Sequence, residues 1–223
     1  MKIIGHRGAK GLAPENTLKS FTKALEYNVD EVECDARVTK DGIVILEHDD
    51  LMQDAGGKRY KVTDHTYAEL VAIKPELARL SDVIDYINKT VPLQVEVKPD
   101  VDVAPILALL QQYFDKGWKF TDVFIGSSDM SVLKATRARL PTAPLVIIES
   151  WSGVRASWRC RKLNTKRISM SKHVLWSLYI RSVYRSGYEL CAYTVNDPKK
   201  ARRMAKYGLS GIFTDYPDLY QAK

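Results

Sequence analysis

Short runs of apolar and β-branched residues alternate along the chain with longer stretches in which apolar residues recur every three or four positions. The first run, Lys2–Gly5, stops at His6. Over residues 15–27, Leu18, Phe21, Ala24 and Leu25 fall at helical spacing, with Asn16 or Thr17 placed to cap the start. Residues 31–36 and 43–46 read as strands, and Lys40-Asp41-Gly42 between them is a tight-turn signal. Residues 50–80 keep no period. Gly56-Gly57 and the polar surroundings predict a loop-rich insertion with one short helix near 67–70. Beyond it, helices are expected over 81–88 (capped by Ser81), 103–114, 130–140, 175–184 and 198–207, the last opened by Asp197-Pro198. Strands are expected over 93–97, 122–126, 145–149, 168–171, 190–195 and 211–214.

With the hairpin strand 43–46 set aside, eight strands alternate with helices. That order implies parallel strands, and eight such units in 223 residues fit an α/β architecture, a (β/α)₈ TIM barrel. The expected organisation is a single domain over 1–223 with the insertion at about 50–80. A doubly wound sheet fits less well, because Gly5, Gly8 and Gly11 do not make the dinucleotide fingerprint.

Composition narrows the class. Apolar residues are 45% of the chain, enough for a sizeable core. The N-terminal apolar run ends after two isoleucines, which is too short for a signal peptide, and no run of about 18 apolar residues occurs. Cys34, Cys160 and Cys191 form no paired motif, so reduced thiols and a cytoplasmic location are expected.

The formal charge is +7, and no nucleic-acid-binding motif accompanies it, so an anionic small substrate is the better explanation. The charge is uneven. Residues 150–188 carry nine Lys and Arg, no Asp or Glu, and Trp151, Trp158 and Trp176. The plain reading is a solvated surface over buried tryptophans; the sharper one is peripheral contact with an anionic lipid surface or a charged partner. Oligomeric state is not legible.

Candidate chemistry collects at the C-terminal ends of the early strands, where barrel enzymes build their sites. His6-Arg7 follows the first strand, Glu33 and Asp35 close the second, His48 follows the hairpin strand, and Glu96 and Lys98 close the third. A spacing of two puts Glu33 and Asp35 on one strand face, and Glu96 and Lys98 on another. Three converging carboxylates repel unless a cation sits among them, and oxygen ligands suit one hard divalent ion, Mg²⁺ or Ca²⁺. Two of the four histidines flank the group, as an acid and a base would. Three carboxylates, a divalent ion, Arg7 and Lys98 sum to about +1, which suits the single negative charge of a phosphodiester.

His6-Arg7-Gly8, Pro14-Glu15-Asn16-Thr17, Glu33-Cys34-Asp35, His48-Asp49 and Glu96-Val97-Lys98 together resemble the glycerophosphodiester phosphodiesterase family. Thr194-Val195-Asn196 and Gly211-Ile212-Phe213-Thr214-Asp215-Tyr216-Pro217 are similar to its late segments. The resemblance implies metal-dependent hydrolysis of glycerophosphodiesters to sn-glycerol 3-phosphate and an alcohol, in a barrel with an insertion after the second strand. It implies Glu33, Asp35 and Glu96 as metal ligands and His6 and His48 as catalytic acid and base. It places Arg7, Lys98, Glu15, Tyr193 and Asn196 around the substrate. Three departures concern the pocket wall: no arginine follows Leu51-Met52, Ser127-Ser128 stands where an aromatic is common, and Tyr193 where a tryptophan is common. The other readings are lysophospholipase D-type activity on lysophospholipids and an inactive barrel that only binds phosphodiesters.

Overall fold

The structure is a computed structural model and describes residues 1–221. The chain runs β1 (Lys2–Gly5), α1 (Leu18–Glu26), β2 (Glu31–Val38), β3 (Val44–Leu46), β4 (Leu51–Gln53), β5 (Arg59–Lys61), α2 (Tyr67–Ile73) and α3 (Leu80–Ile87). It continues β6 (Leu93–Val97), α4 (Ala104–Asp115), β7 (Val123–Ser127), α5 (Met130–Arg139), β8 (Leu145–Glu149) and α6 (Gly153–Leu163). The last third is β9 (Arg167–Ser171), α7 (Ser177–Arg185), β10 (Glu189–Tyr193), α8 (Pro198–Ala205) and β11 (Gly211–Thr214).

Eight strands pair in parallel, and β1 closes the ring by pairing with both β11 and β2. This is the (β/α)₈ barrel that the alternation of short and long periods implies. β3 adds to β2 as an antiparallel outer strand. Strand alternation divides the side chains. Val32, Cys34, Ala36, Val95 and Val97 face the helices and form the main core with Ile84, Ile106 and Leu133. Ile4, Cys191 and Phe213 pack together as a separate cluster with Tyr193 against it.

A charged network joins the N-terminal ends of the strands. Lys2 Nζ lies 2.6 Å from Glu31 and 2.9 Å from Glu189, while Arg167 lies 2.7 Å from Glu31 and 3.3 Å from Glu189. The Arg167 guanidinium also sits 3.7 Å from the Phe124 ring centre.

The segment after β3 carries more order than its composition suggests. β4 and β5 form a hairpin, and Met52, Val62, Leu70 and Leu77 bury against Ile45 as a small core of their own. α3 is capped at Arg79, whose amide donates to Asp82, and not at Ser81. α1 is capped by Thr17 alone, because Asn16 turns to Asp35. α6 had no counterpart in the hydrophobic pattern. Its buried face is Gly153, Ala156, Cys160 and Leu163, mostly small residues that leave no aliphatic stripe to read. Trp151, Trp158 and Trp176 are exposed, which corrects the expectation that they are buried.

Candidate active site

The chain leaves β1 through a turn with positive φ at both Arg7 (52°) and Gly8 (80°). A β-carbon on Gly8 would run into Ser20 and the backbone of Phe21, so this turn requires glycine. Its conformation points the Arg7 amide at Glu33 Oε2, 3.0 Å away, and lets the Arg7 carbonyl accept from Asn16 N and Ser20 Oγ.

β2 and β6 bring three carboxylates together. One oxygen from each of Glu33, Asp35 and Glu96 lies within 4.8 Å of the others. Asp35 is 1% exposed and surrounded by donors. Lys98 Nζ is 2.6 Å away, Arg7 Nε 3.0 Å, and the Asn16 side-chain amide donates at 2.9 Å. The Arg7 Nε contact is ionic only, because the N–H is not aligned for a hydrogen bond. Burial works against the charged form of Asp35, but Lys98, Arg7 and Asn16 outweigh it and hold its pKa below the usual carboxylate range. Glu96 bonds Lys98 at 2.8 Å.

Glu33 is different. Burial, and then the charges of Asp35 and Glu96, push its pKa well up; Lys98 and the Arg7 amide offset this only in part. Two cations are therefore shared among three carboxylates, one of which, Glu33, has no side-chain partner among the described residues. A hard divalent ion would meet that deficit, and the donor set fits it: three carboxylates on rigid strands.

Both histidines are oriented by carboxylates through Nδ1. His6 Nδ1 is 2.6 Å from Asp215 Oδ1, and His48 Nδ1 is 2.7 Å from Asp49 Oδ1. That pairing keeps a proton on Nδ1 and directs Nε2 to other partners. The two pairs differ in support. Asn196 donates its amide to Asp215 and accepts the Asp215 backbone N–H and the Thr214 hydroxyl. Burial opposes ionisation of Asp215, but the hydrogen bonds from His6 and Asn196 hold its pKa down. Asp49 is 73% exposed, and the His48 backbone is fixed instead by Arg37, which donates twice to its carbonyl. The Asp49 carboxyl is held low chiefly by its bond to His48.

A cavity of about 200 Å³ opens among these groups. His6, Arg7, Glu33, His48, Glu96, Lys98 and Tyr193 line it. Asp35 lies beneath, in contact with Lys98. Glu15 and Asn196 do not line it. Glu15 is bonded to Arg7 at 2.9 Å and Lys10 at 2.6 Å, and Asn196 stands behind Asp215. The Tyr193 hydroxyl bonds Ser150 and donates to the Glu149 carbonyl. Residue-by-residue reading of the sequence gives Asp215, Asn16 and Gln94 no place in the site. Gln94 is 1% exposed, lines the cavity, and its carbonyl oxygen has no hydrogen-bond partner among the described residues. Strand alternation carries the missing signal: Phe213 and Asp215 are two apart, as are Gln94 and Glu96.

The sequence pattern of the glycerophosphoryl diester phosphodiesterase family matches residues 6–219. The chain belongs to this family. A glycerophosphodiester phosphodiesterase of Bacillus subtilis is 28% identical over 97% of this chain and 84% of its own length. A mouse lysophospholipase D is 22% identical over 97% of this chain and 80% of its own. Among solved structures, an Oleispira antarctica phosphodiesterase in complex with the product sn-glycerol-3-phosphate superposes with a TM-score of 0.86 at 24% identity, covering 98% of this chain and 94% of that one. The glycerophosphoryl diester phosphodiesterase family thus extends over both histidines, all three carboxylates and the late Asp215 segment.

Proposed function

We propose that this chain hydrolyses glycerophosphodiesters to sn-glycerol 3-phosphate and an alcohol, with one divalent cation, Mg²⁺ or Ca²⁺, held by Glu33, Asp35 and Glu96. The observation that carries the reading is the pairing of an under-neutralised carboxylate cluster with two carboxylate-oriented histidines around one cavity. The bound cation would supply Lewis-acid polarisation of the phosphoryl oxygens. Arg7 and Lys98, both on the cavity wall, add positive charge beside those oxygens as negative charge builds. One histidine takes the proton of the attacking oxygen, from water or from the substrate's own 2-hydroxyl, and the other protonates the departing alkoxide. Asp215 and Asp49 stabilise whichever ring is cationic. Glu15 holds Arg7 in place.

Glycerophosphocholine turnover tests the reading. His6→Ala and His48→Ala should each lower kcat by about 10²–10⁴-fold without unfolding the chain, in line with the loss of a general acid or base. Near-full activity in either variant would refute the assignment. Glu33→Gln should raise the cation concentration needed for activity, and full activity in chelator would refute the metal.

A second reading, lysophospholipase D-type activity, draws on the exposed tryptophans beside the mouth. Comparing choline release from glycerophosphocholine and from lysophosphatidylcholine separates the two. No helix among the described residues is long and apolar enough to cross a membrane, and the three cysteines are free and buried, which supports a reducing, cytoplasmic setting.

A further inference from the structure

The rim of the barrel beside the candidate site carries an apolar ridge that folding leaves uncovered. Trp151, Val154, Trp158, Trp176 and Leu178 are each between 50% and 80% exposed. Isolated apolar residues at a surface need no explanation, but large ones gathered together do. They are gathered here. Trp151 follows Ser150, which lines the catalytic cavity. Val154 and Trp158, four apart on α6, share one helix face. The Trp176 ring packs 5.4 Å from Tyr179, and Tyr179 bonds the carbonyl of Gly153 at the start of α6. Leu178 lies in the first turn of α7.

The ridge is held rigidly. Glu149 is 1% exposed; it accepts the backbone N–H of Trp151 at 2.9 Å and pairs with Arg155 of α6 at 2.5 Å. The turn that displays Trp151 is therefore tied to both β8 and α6.

Cations adjoin it. A second cavity, of about 450 Å³, lies between the start of α7 and α8, with Trp176 in its wall. Lys172, Lys200 and Arg203 line it, no Asp or Glu does, and among the described residues none of these three cations has an ion-pair partner. An apolar ridge with exposed indoles, bordered by unpaired cations, matches the layering of an anionic bilayer: acyl chains, interfacial zone, headgroup phosphate.

We propose that the α6–α7 rim docks on an anionic phospholipid surface, with Trp151, Trp158 and Trp176 entering the interface and the Lys172–Lys200–Arg203 cavity receiving a headgroup phosphate. Docking in this way sets the catalytic opening next to the bilayer. The idea does not depend on the hydrolytic reading, because binding is measured without turnover.

The test is co-sedimentation of the full chain with vesicles of phosphatidylcholine alone and of phosphatidylcholine mixed with phosphatidylglycerol. Binding should favour the mixed vesicles and fall with added salt. Trp158→Ser/Trp176→Ser should weaken partitioning about tenfold or more through lost apolar burial. Lys172→Ala/Lys200→Ala/Arg203→Ala should weaken it on the order of a hundredfold, as removal of three near-surface charges implies. Unaltered circular dichroism and urea unfolding of both variants would show an intact fold. No binding of the wild type to mixed vesicles at low salt would overturn the proposal, as would equal binding to both compositions. A stable dimer in sedimentation velocity that the tryptophan variant dissociates would give the ridge to a second copy and also overturn it.

Discussion

His6 owes its orientation to a residue that never reaches the cavity. Asn196 holds Asp215, and Asp215 holds the ring, so the imidazole inherits the precision of two hydrogen-bond layers. Asp215→Asn should preserve the shape but put an amide against Nδ1, favouring the wrong tautomer. We expect kcat to fall by about 10²-fold or more with little change in KM, checked by steady-state kinetics on a variant of unaltered circular dichroism. Asn196→Ala, one layer out, should cost about tenfold. Asp215 also links stability to pH. Its folded pKa lies below the ordinary 3.8, so its contribution is complete above that value and fades as pH falls through the depressed one. The stability gap between wild type and Asp215→Asn in urea unfolding should accordingly narrow in acid. A gap that widened instead would mean the carboxylate is not stabilised by its partners.

At the scale of elements, the β4–β5 hairpin and α2 form a unit with its own core, seated on the outer face of β3. Leu70 is its fully buried centre. Leu70→Ala should remove about 2–5 kcal/mol of local stability. Hydrogen exchange should then quicken across 51–73 while the barrel strands keep their protection; uniform quickening would show that the unit does not open independently. This segment also marks where sequence reading reached its limit. Elements packed by large aliphatic residues, such as β6 or α3, declare their period. The hairpin residues Leu51-Met52-Gln53 and Arg59-Tyr60-Lys61 are too short to do so. α6 is obscured for another reason: its inner face is small and its outer face holds Val154 and Trp158 among arginines, the reverse of the usual order. The carboxylate cluster was legible because alternation along one strand is a local rule. The bond from His6 to Asp215 was not, because it spans 209 positions and exists only once β1 closes against β11.

The whole molecule is a barrel with unlike ends. At the N-terminal end, Lys2, Glu31, Arg167 and Glu189 form a ring of alternating charge, and Glu31 is 2% exposed. Losing Arg167 takes one of two cationic partners from the buried Glu31 and leaves it Lys2 alone. Arg167→Ala should therefore destabilise the fold by about 1.5–3 kcal/mol in urea unfolding, with kcat almost unchanged. A loss below about 1 kcal/mol would show the ring to be energetically idle, like a surface pair. The unlike ends have a kinetic consequence too. The candidate cavity lies at the other end, with Ile4, Cys191 and Phe213 packed together inside the barrel, so on the proposed function substrate and both products would share one mouth. On the proposed hydrolysis, the alcohol fragment would depart first, and the phosphate-bearing fragment, held beside Arg7 and Lys98, would depart last. Added glycerol 3-phosphate should then compete with substrate, whereas added alcohol should lower the maximal rate without competing. Traffic through one mouth would in that way fix the order of the catalytic cycle.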